Sequence, residues 1–182
     1  MSNDLKEILL DEILEHLHKY CEHLYFEIGG WPGQEQELII TAEGNIDYFD
    51  KVEELVRTAP VIDKWSFTAF MQPHDLDYTS HFEDVELILS EIRILPLNNS
   101  NSREIGFKVC IPNYEEIKDS EWLDAAVYKL LDSVLGEKVF ALEVDFIEID
   151  GLPNDQEQNL IELKDLPEYV KRRISLAINT HL

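Results

Sequence analysis

The sequence is short of the residues that would bring it to nucleic acid or to an anionic membrane. Fifteen Lys and Arg stand against 38 Asp and Glu, a formal charge of −23 at pH 7, whereas phosphate-bearing surfaces are bound by clustered cations. Neither nucleic acid nor membrane is therefore expected as a partner. Cysteine is scarce too. Cys21 and Cys110 are widely separated and show neither a disulfide framework nor a zinc spacing, which makes a reduced cytoplasm the expected location. Glycine and proline, seven of each, are too few for a low-complexity tail. No apolar run is long enough to span a bilayer, and the start, MSNDLKEILLDEILEHLHKY, lacks the basic and continuously apolar regions of a secretory signal. What is present is 45% hydrophobic and 10% aromatic content over 182 residues. That is enough for one folded domain burying about 70% of its unfolded surface, with no cofactor or metal needed to hold it.

Hydrophobic periodicity divides the chain. Over residues 4–23, Leu5, Ile8, Leu9, Ile13, Leu17 and Tyr20 recur at helical spacing among acids. Residues 24–71 then read strand, strand, helix, strand: Leu24–Ile28, Glu37–Ala42, a helix from Asp47 to Thr58 ended by Pro60, and Trp65–Phe70. Gln72 to Asp84 is polar and unpatterned, the expected longest loop. Residues 85–150 repeat the order of the first half: a long strand Val85–Leu95, a strand Arg103–Ile111, a helix from Ser120 to Gly136, and a strand Lys138–Ile149. Residues 151–182 follow as a polar linker, a short apolar run and a last helix from Leu166. The expectation is a single α+β domain: a mixed, largely antiparallel sheet built from two ββαβ-like halves, helices packed on one face, and extra helices at both ends. Helices on one side leave the opposite sheet face open.

Three runs, ELIITAEGN from Glu37, VEELVRTAP from Val52 and WSFTAF from Trp65, together resemble a family of uncharacterised bacterial proteins. Its members place an apolar strand ending in Ala-Glu-Gly before an acidic helix ending in Ala-Pro and a Trp-led strand. The resemblance covers about a fifth of the chain and implies a cytoplasmic bacterial domain of unknown function. It brings no activity, cofactor or catalytic residue.

Chemistry is sparse. His74, Asp75, Asp77 and His81, with Glu83 and Asp84, crowd imidazoles and carboxylates into one loop of the kind a divalent ion takes. Their spacing matches neither H-E-x-x-H nor a calcium loop, and a solvated loop accounts for them equally. On the expected open sheet face, Glu143 and Asp145 stand about 7 Å apart by strand rise, a spacing open to acid and base work. Lys108 and Arg93 on neighbouring strands make ordinary cross-strand charge pairing the alternative. Trp31, in the turn Gly29-Gly30-Trp31-Pro32-Gly33, is the expected exposed contact residue. No residue is assigned a catalytic role. The weight falls on a non-enzymatic, acidic interaction module, inhibitor- or immunity-like in one form, whose partner is a basic protein or a second copy of the chain. The alternative is a small divalent-metal-dependent hydrolase using residues 74–84.

Overall fold

A computed structural model describes residues 3–30, 33–74, 79–97, 104–153 and 159–179 of the chain. It is α+β, as the periodicity predicts: six helices and nine strands lie among these residues. They fall into two compact units, Met1–Met71 and Gln72–Leu182, and the division lies where the first ββαβ half was expected to end.

The first unit runs α1 (Asn3–Tyr20), β1 (Tyr25–Gly30), β2 (Gln36–Thr41), α2 (Phe49–Arg57) and β3 (Trp65–Ala69). β1 and β2 form an antiparallel hairpin that sets Phe26 opposite Ile40. β3 pairs in parallel on the other side of β2, setting Phe67 opposite Leu38, and a parallel return of this kind needs a crossover, which α2 supplies. α1 stops three residues earlier than its periodicity suggests. His18 Nε2 donates to the Leu24 carbonyl at 3.1 Å and the His23 ring stacks on Tyr48 at 4.2 Å, so the chain has already turned back toward β1. Before α2, the Asn45 side chain accepts the Asp47 N–H. At its end Thr58 Oγ1 donates to the Glu54 carbonyl, with Pro60 beyond.

The second unit begins with β4 (Thr79–Phe82) and β5 (Val85–Ile88), an antiparallel pair. It continues through β6 (Arg93–Pro96), β7 (Gly106–Ile111), α3 (Tyr114–Ile117), α4 (Leu123–Leu135), α5 (Glu137–Glu143), β8 (Phe146–Gly151), β9 (Ile161–Glu162) and α6 (Leu166–Asn179). The topology of the first unit recurs here: β6 and β7 pair antiparallel, and β8 returns parallel to β7 on its far side after the helices. β9 adds to the free edge of β6, giving the order β8-β7-β6-β9. The inward residues of β6 and β7, Ile94, Phe107, Val109 and Ile111, are fully buried with Val127 and Leu131 of α4 and Leu166 of α6.

Four local expectations are corrected. The strands form three sheets rather than one. Lys138–Ile149 is not a continuous strand: Gly136, at φ +80°, redirects the chain into α5, and the strand begins only at Phe146. Phe140, Leu142 and Val144 recur at every second position as a strand would, but Ala, Leu and Glu are strong helix formers, and Phe140, buried like Glu137 before it, anchors the turn. Val85–Leu95 is broken at Leu89–Glu91, where the Arg93 guanidinium donates to the carbonyls of Ser90 and Ile92 at 2.8 and 2.9 Å. The stretch Gln72–Asp84 is not all loop, because β4 lies within it and turns into β5 through Glu83 at φ +52°.

The two thiols differ. Cys110 is fully buried in β7 and burial pushes its thiol above the ordinary value, whereas Cys21, just past α1, is half-buried. Native protein treated with a thiol reagent is expected to react at Cys21 alone, with Cys110 labelled only after denaturant is added. Mass spectrometry of the labelled peptides checks this, and early labelling at Cys110 would contradict its burial.

Candidate functional site

Among the described residues the helices of the second unit share one buried cluster with the inward side of its four-stranded sheet, and strand register sets what the other face presents. Gly106, Lys108 and Cys110 of β7 lie opposite Phe146, Glu148 and Asp150 of β8, with Arg93 and Leu95 of β6 on the other flank. Lys108 Nζ stands 3.1 Å from Asp150 and 3.3 Å from Glu148. The hydrogen bonds it donates to these carboxylates, Asp150 first, hold the ammonium above its ordinary value. Lys108 in turn, helped by the Gly151 N–H, holds Asp150 below the usual carboxylate range. The cation and both acids are satisfied by one another, which makes this face an ion-paired surface of modest energetic weight. Beside it the Phe146 ring covers Gly106 so closely that a Cβ on that glycine would fall about 2 Å from the ring, an aromatic filling the gap a glycine leaves in a sheet.

Sequence reasoning placed Lys108 and Arg93 on this face, and the structure does the same. It does not bring Glu143 and Asp145 together. Glu143 ends α5 and is exposed, while Asp145 lies in the link before β8, where its carboxylate accepts the Ile105 N–H at 2.7 Å and its own N–H donates to the Ile105 carbonyl. Asp145 is thus a fastening between the link and β7. The acids of this face are Glu148 and Asp150, reached by counting the strand from Phe146 instead of Lys138.

The expected ion-binding loop divides. His74 is exposed, with its N–H on the Ser133 carbonyl at 2.8 Å. His81 lies on β4 with Nδ1 3.7 Å from Glu86 of β5, both side chains exposed. Asp75 and Asp77 lie outside the described residues, as does Trp31. Among the described residues no three His, Cys, Asp or Glu side chains converge as metal ligands, and no helix is long and apolar enough to cross a membrane.

The first unit holds a feature that sequence reasoning missed. A cleft of about 320 Å³ opens between α1, α2 and the sheet. Its floor is Leu38, Ile40 and Phe67, one wall is Ile13, His16, Leu17 and Tyr20 of α1, and the other is Leu55, Val56 and the segment Thr58 to Pro60. One end is tied across: Tyr20 Oη donates to Glu54 Oε2 at 3.0 Å, Lys51 approaches the same carboxylate at 3.5 Å and lies over the Tyr20 ring at 5.6 Å. These contacts, the tyrosine hydroxyl first, hold Glu54 below the ordinary carboxylate value. Within the wall His16 Nδ1 donates to the Glu12 carbonyl at 2.8 Å. That bond places a proton on Nδ1. The sequence signal was there in α1, whose apolar positions cover too wide an arc for one sheet to bury. Leu17 is buried, but Leu5, Ile8 and Leu9 are 47, 61 and 41% exposed.

Comparison of the chain with protein-family models, with curated proteins and with solved structures finds no match.

Proposed function

We propose that the chain is a non-enzymatic, acidic protein-interaction module whose partner is a basic protein. The observation that carries this reading is the first helix, where exposed Leu5, Ile8 and Leu9 stand among exposed Glu7, Asp11, Glu12 and Glu15. Exposed apolar side chains grouped on one element mark contact surfaces, and the surrounding field of a protein at −23 draws cations and speeds their encounter. An inhibitor- or immunity-like role against a basic protein is the concrete form that size and charge support. Affinity capture from the native cell, run at low and at high salt and repeated with the purified captured protein, tests the reading. A basic protein is expected at low salt and is expected to be lost at high salt. Enrichment of none at low salt would sink the proposal.

A further inference from the structure

We infer that the α1–α2 cleft of the first unit is a docking groove for a cationic amphipathic helix of a protein partner, an assignment that rests on the interaction-module reading and gives it a place and a ligand chemistry. Length argues for a helix. On α1 the side chains Leu5, Leu9, Ile13, His16 and Tyr20 follow one another at intervals of three and four residues, so they form one stripe along the helix. From Leu5 to Tyr20 that stripe runs about 22 Å, the length of four turns of a partner helix packed alongside with an apolar residue at every turn. Its second half is the wall of the cleft, whose volume of about 320 Å³ has room for anchoring side chains. Its first half, Leu5 and Leu9, is exposed and continues the apolar surface beyond the cavity. At the opposite wall the chain leaves Pro60 into Val61, fully exposed, and Ile62, 46% exposed.

Charge decides among occupants. The first unit carries 15 acidic side chains against five basic ones, and two of those five, Lys19 and Lys51, are paired with Glu15 and Glu54. Glu12 lies within the stripe, one turn from both Leu9 and His16. A second copy of the chain would bring a further −23 to the same place, and a fatty acid would bring a carboxylate. A helix with Leu on one face and Lys or Arg on its flanks satisfies both the apolar floor and the acidic edges.

The test uses the full chain and a fluorescein-labelled, 18-residue helical peptide of Leu and Lys, read by anisotropy at moderate salt. Three comparison probes are the same Leu pattern with Glu replacing Lys, the same Lys pattern with Gln replacing Leu, and palmitate. The double substitution Leu5→Gln with Leu9→Gln changes exposed positions only, and Leu142→Gln, exposed on α5, is its control; circular dichroism verifies that each variant is folded. The Leu and Lys peptide is expected to bind, to lose about tenfold in affinity with the double variant, and to keep its affinity with Leu142→Gln. Equal affinity for both variants would overturn the groove and leave the interaction module standing elsewhere on the surface. Equally tight binding of the Gln and Lys peptide would overturn it in the same way, since the contact would be charge alone. Preference for the Glu peptide or palmitate, or binding of none of the probes, would overturn both readings.

Discussion

Phe107→Ala is expected to lower the stability of the 72–182 unit by about 3–5 kcal/mol, a large share of the roughly 5–15 kcal/mol that holds a typical domain. Phe107 is the largest side chain in the core with no exposure. It is the second residue of β7, which has a partner on each side, opposite Pro96 of β6 and Ile147 of β8, and its ring lies on the face covered by the helices. Neighbours held by two ladders cannot close over the lost ring, so the substitution removes the transfer energy and leaves a cavity as well. Urea unfolding followed by far-ultraviolet circular dichroism measures the loss as a lower midpoint at unchanged slope. Leu142→Ala, at a half-exposed position on α5, is the internal comparison and is expected to cost less than about 0.5 kcal/mol. Comparable losses at the two positions would mean that the inward face of β7 has been wrongly placed.

Gly30→Ala is expected to cost about 2–4 kcal/mol, the sum of a backbone term and a steric one. Gly30 closes β1 at φ +100°, where a Cβ would lie 2.6 Å from the Glu35 carbonyl oxygen and 3.1 Å from the Gln36 Cα. Both neighbours are backbone in the facing arm of the hairpin, so relief requires the strands to part at Gly30 and Gln36, the last pair of the ladder. Gly44→Ala separates the two terms. Gly44 has φ +77° and open space around the added Cβ, so it is expected to cost only the conformational part, about 1–2 kcal/mol. Thermal unfolding of the two variants gives the difference. Equal shifts would show that the Glu35 carbonyl yields freely.

Much of the architecture was legible because it rests on period and on punctuation. The alternation of Leu24 to Ile28 and Ile105 to Ile111, the helical spacing of Trp122 to Val134, and Pro60 and Gly136 as stops all correspond to observed elements or their ends. Errors arose where a short segment satisfied two periods. Phe140 to Val144 alternates as a strand would and also contains one turn of good helix formers, and the adjoining left-handed Gly136 let the chain begin a new helix. The Val85–Leu95 run is strand-like on both sides of the polar pair Ser90-Glu91, and its turn at Leu89–Glu91 is held by Arg93 folding back on its own backbone, a bond with no sequence signature. The site was less legible. Lys108 and Arg93 were placed because cross-strand position follows from alternation alone. The cleft was not: the wide apolar arc of α1 signals an uncovered surface, but the gap itself depends on where α2 stands over the sheet relative to α1, which spacing within each helix does not set.

The repeated topology has a consequence for the order of events as the chain emerges during synthesis. In each unit the middle strand has one neighbour immediately available through a hairpin, whereas the other follows only after a helical crossover. β2 therefore waits for residues 65–69 before its second ladder can close, and β7 waits for residues 146–151, some 35 residues after its own end. During that interval the middle strand of each unit offers an unpaired row of N–H and carbonyl groups. The carboxylates spaced along the helices that are made in the meantime add like charge to every nascent copy, which keeps neighbouring chains apart while the edge is open. Like charge of this kind opposes edge-to-edge association for as long as the ladder is open.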